Sequence, residues 1–325
     1  MLIPESVATI ARDHPEAAAW VERLPHLIHT YTERWDLRHI EAPLPTCRRF
    51  AWVGAAEQPD GREVVLKLAL PHAEASTEWA GLQSFAGRGA VHLLANDATD
   101  FALLVERCRP GTDIRALPTP ADADAVAVQV LTRLWRAPDE RAAPIGSLAD
   151  TVDAWNREYA TTRAAYPPDL VDEAARLGAE LVRSTTDADT VVLHGDFNPS
   201  NVLAAEREPW LAIDPKPLIG DPAHDLAQYL ANWVDEADAS GDPVAWFADR
   251  VGFFADALHL DAGRIASWTF VKAVGWNWGP RVAGLFRVVG LRFGERAARG
   301  WPRGSGGAPT RRAGPPPPAS GRATS

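Results

Sequence analysis

The 325-residue sequence is poor in cysteine and lysine and has no long apolar run. Its two cysteines, Cys47 and Cys108, cannot form a disulfide framework or a cysteine-based zinc cluster, and they favour a reducing compartment. No apolar run reaches the roughly 18 residues of a membrane helix. The start, MLIPESVATIARDHPE, lacks the basic region and apolar core of a signal peptide. We therefore expect a cytoplasmic protein that has no membrane partner.

Lysine occurs only at Lys67, Lys216 and Lys272, and the other basic residues are arginines. Acidic residues outnumber basic ones by 43 to 33, which gives a formal net charge of −10. A chain with this charge is poorly suited to bind nucleic acid and attracts cationic partners more easily. Hydrophobic residues make up 46% of the chain, enough for one large or two modest domains.

The hydrophobic patterns divide the chain into a small β-rich part and a larger helical part. A helix is predicted over residues 9–35, where Pro25 could break or kink it, and a β-hairpin over residues 48–70 turns at Pro59-Asp60-Gly61. We predict an N-terminal lobe over residues 1–107, a helical lobe over 108–300 and a disordered Pro/Gly-rich tail over 301–325. The predicted helices span residues 74–85, 121–136, 148–166, 168–183, 222–235, 243–258 and 262–276. Strands are predicted over residues 101–111, 190–193, 202–205 and 210–214.

The stretch VVLHGDFNPSNVLAAEREPWLAIDPKPLIGDPAHDLAQYL places many polar side chains between apolar strands. One interpretation is a metallo-hydrolase that uses His194, Asp196, Asp214 and His224 as ligands, although their spacing matches no zinc signature. The other is phosphoryl transfer. This chemistry needs a carboxylate that receives the proton of the acceptor hydroxyl, oxygen ligands for Mg²⁺, and a cation on the nucleotide phosphates.

The spacing within this stretch favours phosphoryl transfer. Asp196 follows His194-Gly195 at the end of a strand, and Asn201 lies five residues later, which is the interval of a kinase catalytic loop. Asp214 ends the next strand, so a hairpin would bring it beside Asn201, and an amide with a carboxylate suits Mg²⁺. Lys67 lies in the middle of a predicted strand, and Glu78 lies on the helix that follows, so Glu78 can pair with the lysine.

The runs HGDFNPSN and AIDPKPLIGDPAHDLA, with GRGAVHLL and LLVERCRPGT upstream, resemble the aminoglycoside phosphotransferase superfamily in its streptomycin 6-kinase and hydroxyurea kinase branch. The resemblance covers roughly residues 20–299. It implies an α+β, protein-kinase-like fold with two lobes, and ATP and Mg²⁺ as cofactors.

The resemblance also assigns roles to individual residues. Asp196 would be the catalytic carboxylate and Asn201 and Asp214 the Mg²⁺ ligands. Lys67, paired with Glu78, would bind the nucleotide phosphates. The segment from Glu106 to Cys108 would be the hinge whose backbone meets the purine.

Other residues of the polar stretch are assigned to structural support. His194 would hold the shape of the loop and Asp225 would brace it through hydrogen bonds. Asp221 with Pro222 fits a helix N-cap, His224 fits a helix face, and Asn198 fits either a turn or a substrate contact.

One segment departs from the family pattern. Residues 44–54, where a small-residue loop would cover the phosphates, contain Arg48-Arg49 and a single late glycine.

The substrate is less constrained by the sequence. An ATP-dependent kinase of a hydroxylated, cationic small molecule such as a streptomycin-type antibiotic is the leading hypothesis. The alternatives are a kinase of hydroxyurea or another hydroxyl metabolite, and a catalytically silent nucleotide-binding protein. Several acidic residues are candidates for a pocket that binds a cationic substrate, although a solvated helix face is the default explanation for them. Several tryptophans are candidates for a sugar-binding cleft, although core packing is the default for each. These residues are Asp150, Asp153, Glu158, Asp235, Glu236, Asp238, Trp155, Trp233, Trp276 and Trp278.

Overall fold

The structure is a computed structural model that describes residues 3–8, 10, 17–41, 50–142, 144–162 and 166–298. The segment 42–49, which contains most of the predicted phosphate loop and Cys47, and the predicted tail lie outside the described residues. Within the described part, no helix is long and apolar enough to cross a membrane.

The small lobe is built on an antiparallel sheet of four strands in the order β1-β2-β4-β3. These strands are β1 (Ala51–Glu57), β2 (Glu63–Ala69), β3 (Leu93–Asp97) and β4 (Ala102–Glu106). The β1–β2 pair confirms the predicted hairpin. In β2, alternation buries Leu66 and Leu68 on one face and puts Lys67 on the other. The position of Lys67 thus follows from the pleat of the strand.

The N-terminal helix, Ala18–Arg34, covers this sheet and shares its hydrophobic core. Trp20, Leu24 and Ile28 recur at helix spacing and are buried with β2 side chains in one cluster. The predicted helix over residues 9–35 is therefore shorter than expected at its N-terminal end. A separate short helix covers Glu5–Ala8, and Pro25 lies inside the longer helix without ending it.

The large lobe is mostly helical and carries a second, larger hydrophobic core. Its helices are Pro120–Leu134, Leu148–Thr162, Pro168–Ser184, Ala223–Ala231, Val234–Ala239, Pro243–Leu258, Ala262–Gly275 and Pro280–Ala298, and the helix Glu78–Phe85 packs between the lobes. Short 3₁₀ helices of this lobe cover Ile114–Ala116, Glu140–Ala142, Asp187–Asp189 and Pro199–Asn201, and another, Glu74–Thr77, belongs to the small lobe. Two small antiparallel pairs complete the lobe: β5 (Val191–Leu193) with β8 (Leu218–Gly220), and β6 (Val202–Ala204) with β7 (Trp210–Ala212).

Most predicted helices are confirmed to within a few residues, and Pro243–Leu258 has the predicted bounds. The helix expected over residues 222–235 is wrong in extent. It begins at Ala223, stops at Ala231 and is followed by the short helix Val234–Ala239. The helix Pro280–Ala298 was not predicted. Its three glycines weaken the helical pattern, although Pro280 suits a first helical position.

Candidate active site

A cleft of about 280 Å³ lies where the two lobes meet. The small lobe contributes Lys67 and Glu78 to its wall, and the large lobe contributes Asp196, Asn201 and Asp214. Residues that are up to 147 positions apart in the chain therefore face one space. With Asn198, which also lines it, this cleft brings together six of the residues that the sequence singled out.

Lys67 sits at the small-lobe side of the cleft between two carboxylates. Its Nζ donates to both oxygens of Glu78 at 2.7 Å and to Oδ1 of Asp214 at 2.5 Å. Burial opposes the charged form of Lys67, but the Asp214 and Glu78 carboxylates outweigh it and raise the pKa of the lysine. Lys67 is thus a fixed cation in the small-lobe wall of the cleft.

Glu78 and Asp214 share this lysine but lie in different surroundings. The Glu78 side chain is only 6% exposed, and burial raises the pKa of its carboxyl to about 7 against the opposing effect of Lys67. The Asp214 side chain is 45% exposed. Burial of its carboxylate favours the neutral form, yet Lys67 overcomes this effect and lowers the pKa of Asp214. Asp214 therefore remains an ionised group that is open to the cleft.

The loop that carries Asp196 begins with a left-handed glycine. Gly195 has φ +77°, and a Cβ at this position would lie 1.8 Å from the backbone oxygen of Lys216. Only glycine tolerates both the dihedral angle and the close approach. The backbone amide of Lys216 also donates to the carbonyl of His194 at 2.8 Å, which ties the loop to the segment after Asp214.

Asp225 holds the same loop through hydrogen bonds to its backbone. The Asp225 side chain is buried, and it accepts hydrogen bonds from the backbone amides of His194 at 3.0 Å and Gly195 at 2.8 Å. Its Oδ2 also accepts from the indole N–H of Trp135 at 2.9 Å. The ring of His194 contacts the carbonyl of Ile213 through Nε2 at 3.0 Å, and burial lowers the pKa of this histidine. These bonds position the backbone on either side of Asp196.

Asp196 lies after this brace, and two amides contact it. Asn198 Nδ2 donates to Oδ1 of Asp196 at 3.2 Å, and Asn201 Nδ2 lies 3.0 Å from the Asp196 carbonyl. Asn198 also caps the short helix Pro199–Asn201 by accepting from the amide of Ser200. The structure therefore gives Asn198 a turn role and keeps its amide beside the carboxylate of Asp196.

Asn201 and Asp214 are neighbours across the β6–β7 hairpin. The pair Val202↔Ala212 sets the register, and the amide of Ile213 donates to the Asn201 carbonyl at 2.9 Å. The Asn201 amide nitrogen faces Asp196, so its oxygen is turned away from that carboxylate. An amide oxygen and a half-exposed carboxylate form an all-oxygen donor set, which fits Mg²⁺.

The metallo-hydrolase interpretation does not fit this geometry. His224 is buried between Trp155 and Trp268, with ring centroids 6.3 Å and 5.4 Å away, and the pKa of its imidazole is lowered by burial. Within the described ranges, no group of three or more His, Cys, Asp or Glu side chains is arranged to hold a metal. His224 is a core residue of its helix.

Asp221 acts one residue earlier than a standard N-cap. The helix starts at Ala223, and Oδ1 of Asp221 accepts from the Ala223 amide at 3.0 Å. The buried carboxylate also accepts from the Arg264 guanidinium and the Trp268 indole. Asp221 thus joins the start of this helix to the helix Ala262–Gly275.

The segment Glu106–Cys108 follows β4 and leads from the small lobe into the large lobe. The Glu106 carboxylate pairs with Arg207 at 2.9 Å, so an arginine in the β6–β7 turn of the large lobe is tied to the end of β4. Cys108 is half-buried, and burial and the nearby Glu106 raise the pKa of its thiol to about 12. The thiol is therefore protonated and unreactive at neutral pH.

Two lysines at the site were not recognised from the sequence. Lys272 is fully buried, and its Nζ donates to the Gly195 carbonyl at 2.8 Å. Lys216 lies 3.7 Å from Oδ2 of Asp196 and 3.1 Å from Glu74. The scarcity of lysine in the chain could have indicated Lys216 and Lys272 as site residues, because all three lysines lie at this one site.

A strand lysine bound to a helix glutamate, a braced Asp-to-Asn loop and a following aspartate, all around one interlobe cleft, define a phosphotransferase of the protein-kinase-like class. The choline kinase LicA from Streptococcus pneumoniae shares the fold, with a TM-score of 0.54 at 12% identity over 85% of this chain and 98% of that one.

The family model described as aminoglycoside/hydroxyurea antibiotic resistance kinase matches residues 34–277. The streptomycin 6-kinase of Streptomyces glaucescens is 36% identical over 82% of this chain and 87% of its own length. The hydroxyurea phosphotransferase of Kitasatospora aureofaciens is 34% identical over 84% of this chain and 78% of its own. The chain belongs to the aminoglycoside/hydroxyurea antibiotic resistance kinase family, and it is a phosphotransferase that acts on a hydroxyl group of a small molecule.

Proposed function

We propose that the protein transfers the γ-phosphoryl group of ATP, with Mg²⁺, to a hydroxyl of a streptomycin-type aminoglycoside and thereby inactivates the antibiotic. One observation carries the proposal: Lys67, Asp196, Asn201 and Asp214 converge on a single cleft in a chain 36% identical to a streptomycin 6-kinase. A catalytically silent nucleotide-binding protein has no need of all four residues.

Asp196 is the residue that we assign to proton transfer. In the step, the acceptor hydroxyl oxygen forms a bond to the γ-phosphorus, and the bond from this phosphorus to the β–γ bridging oxygen breaks. The hydroxyl proton passes to Asp196 and ADP leaves. The two amides beside the carboxylate, from Asn198 and Asn201, support this role because they fix its orientation.

Lys67 and the interlobe segment are assigned to the nucleotide. The ammonium of Lys67, already fixed by Glu78, supplies the positive charge for the α- and β-phosphates. The backbone of residues 106–108 supplies hydrogen bonds for the purine. Asn201 and Asp214 are assigned to Mg²⁺, which when bound neutralises phosphate charge.

The acceptor is assigned to the large-lobe side of the cleft. Trp276 is half-buried, and the ammonium of Lys216 lies 5.4 Å from its ring centroid, so this indole is close to the catalytic loop. Trp278 contacts the Trp276 ring, whereas Trp155 and Trp233 belong to the core. An aromatic ring suits a hydroxylated cation, so we assign Trp276 to this contact.

The helix-surface acids are less suited to bind the acceptor. The Asp150 carboxylate accepts from the hydroxyl of Ser147, which caps the helix, Glu236 pairs with Arg115, and Asp238 pairs with Arg281. The carboxylates of the cleft wall are Glu74, Glu78, Asp196 and Asp214. Glu78 and Asp214 are already paired with Lys67, so we assign the attraction of a cationic acceptor to Glu74 and Asp196.

Hydroxyurea is the second candidate acceptor. The family description includes hydroxyurea, and the hydroxyurea phosphotransferase is nearly as similar in identity as the streptomycin kinase. Hydroxyurea is small and neutral, so it would gain little from the acidic cleft.

The test is to incubate the protein with Mg-ATP and a panel containing streptomycin, other aminoglycosides, hydroxyurea and small hydroxyl metabolites. ADP release and product mass are then followed. We expect a gain of one phosphoryl group on streptomycin. Asp196→Ala should abolish this gain and leave ATP affinity nearly unchanged, and Asp256→Ala, on an exposed helix face, is the matched control. ATP binding without phosphorylation of any compound would contradict the proposal.

A further inference from the structure

Lys216 lies in the cleft beside the carboxylate that we assign to proton transfer. Its Nζ is 3.7 Å from Oδ2 of Asp196 and 3.1 Å from Oε2 of Glu74. The side chain is 30% exposed, and it lines the same cleft as Lys67 and Asp214. The ammonium thus reaches the space where Asp196 would meet an acceptor.

The other two lysines are already bound by groups of the protein itself. Lys67 is bound by both oxygens of Glu78 and by Asp214. Lys272 is fully buried and donates to the backbone carbonyl of Gly195. Lys216 has looser contacts and more exposure, so its ammonium can exchange partners when a ligand enters.

Lys216 is held in the cleft by contacts from both lobes. Glu74 belongs to the small-lobe 3₁₀ helix Glu74–Thr77, whereas Lys216 and Trp276 belong to the large lobe. The carboxylates of Glu74 and Asp196, at 3.1 Å and 3.7 Å from its Nζ, face the amine and favour its ordinary charged form. We therefore treat this side chain as an ammonium.

Phosphoryl transfer needs a cation in this place. In the transition state, charge is spread over the oxygens of the transferring group, which lies between the leaving oxygen and the acceptor oxygen. The acceptor oxygen must be within hydrogen-bond reach of Asp196. An ammonium next to Asp196 is therefore also next to the transferring group.

We propose that Lys216 is a further catalytic residue, whose ammonium leaves Glu74 and binds the oxygens of the transferring phosphoryl group. This inference rests on the proposed phosphotransfer at Asp196. The cation acts on charge that develops in the transition state, so it contributes to kcat more than to nucleotide affinity.

The test compares Lys216→Met and Lys216→Arg with the wild type. We expect Lys216→Met to lower kcat by about 100-fold, the size typical of losing one charge-stabilising donor. Lys216→Arg, which keeps the charge, should recover most of this loss. Thermal unfolding of each variant controls for folding.

Binding of Mg-ADP with and without aluminium fluoride separates the catalytic role from a structural one. Aluminium fluoride imitates the transferring phosphoryl group, so Lys216→Met should weaken the ADP–aluminium fluoride complex by a factor similar to the loss in kcat. The affinity of this variant for ADP alone should stay within about threefold of the wild type, because we assign Lys216 to the transition state and not to ground-state nucleotide binding.

Two results would overturn the inference: unchanged turnover in Lys216→Met, or an equal loss of affinity for ADP and for the fluoride complex. Either result can occur while the wild type phosphorylates an acceptor, so it leaves the proposed function intact. Failure of the wild type on every acceptor would instead refute the proposed function. The two binding measurements need no turnover, and they would still decide whether Lys216 recognises the transferring group.

Discussion

The two sides of the cleft hold their functional groups by different means. On the small-lobe side, Lys67 is fixed by the side-chain carboxylates of Glu78 and Asp214. On the large-lobe side, the loop before Asp196 is fixed through its backbone, because Asp225 accepts from two amides and Lys272 donates to a carbonyl. The placement of the Lys67 ammonium therefore depends on its pairing with two carboxylates, whereas the placement of Asp196 depends mainly on hydrogen bonds to the backbone of its loop.

The largest expected effect comes from Gly195→Ala, which disturbs the close backbone contact between the Asp196 loop and Lys216. The added Cβ would lie 1.8 Å from the Lys216 oxygen at a φ of +77°. We expect a loss of about 3–4 kcal/mol in the free energy of unfolding. We also expect at least a roughly 100-fold loss of kcat, because the Asp196 loop must shift. Urea unfolding and steady-state kinetics measure both.

The matched control for this variant is Gly241→Ala in the same lobe. Gly241 also has a positive φ, +81°, but nothing lies within 4 Å of its virtual Cβ. The Gly241→Ala variant should lose only about 1 kcal/mol in the free energy of unfolding, because alanine is strained in the left-handed conformation, and it should keep its kcat. Equal effects of the two variants would show that dihedral strain, rather than the close approach to Lys216, dominates.

Asp225→Asn should have the next largest effect, because it replaces one acceptor oxygen by a donor that faces backbone amides. We expect a loss of about 2–3 kcal/mol in stability. The fall in kcat should be about tenfold, since the loop that carries Asp196 loosens. Denaturant unfolding and kinetics on the folded fraction measure the two effects.

Asp124→Asn is the control for a buried carboxylate away from the cleft. Asp124 is buried, accepts from Tyr229 at 2.8 Å and pairs with Arg250. This variant should lose stability without a change in kcat of the folded protein. If Asp124→Asn lowers kcat as much as Asp225→Asn, the brace has no special role.

The carboxylate of Glu78, on the small-lobe side of the cleft, should make the free energy of unfolding depend on pH. The folded pKa of Glu78 is about 7, above its ordinary value of 4.5, because burial disfavours its charge. The folded state therefore binds more protons than the unfolded state between these values, so the contribution of Glu78 to stability falls as pH rises from about 4.5 to 7. In Glu78→Gln this part of the slope should disappear. Unfolding free energies at several pH values in both proteins check it, and identical slopes would contradict the pKa shift.

The smallest effect is expected for Lys272→Met. Burial lowers the pKa of Lys272 to about 8, against the opposing effect of Asp196 and Asp225. The lost bond to Gly195 is offset by removal of a buried charge, so stability at pH 7 should change by less than about 1 kcal/mol. From pH 8 to 10.5 the wild type should gain stability, because its unfolded state binds the extra proton, and the variant should lack this gain. A large loss at pH 7 would show that the bond outweighs the buried charge.

The sequence allowed prediction of the parts of the site that are local in the chain. Asp196 and Asn201 lie within one short motif, and the hairpin that brings Asp214 beside Asn201 follows from two strands and a turn. Lys67 and Glu78 are joined by a strand and the next helix, so their pairing also follows from short-range geometry. Their roles in catalysis remain predictions that the experiments above address.

The remaining contacts depend on packing between distant elements, which periodicity does not specify. Lys272 meets Gly195 across 77 residues, and Arg207 meets Glu106 across 101. The strands β3 and β8 were missed because they are short and partly exposed, and β8 exists through its pairing with β5. Such elements are defined by their partners more than by their own residues.

The gathering of all three lysines around one site has a practical consequence for chemical labelling. Apart from the chain terminus, the protein has no primary amine elsewhere. Lys272 is fully buried and Lys67 has a side chain only 13% exposed, so Lys216, at 30%, is the most accessible of the three. At alkaline pH, where part of the Lys216 amine is neutral, an amine-selective acylating reagent therefore reports on this cleft, and protection by bound nucleotide is read in a single peptide by mass spectrometry.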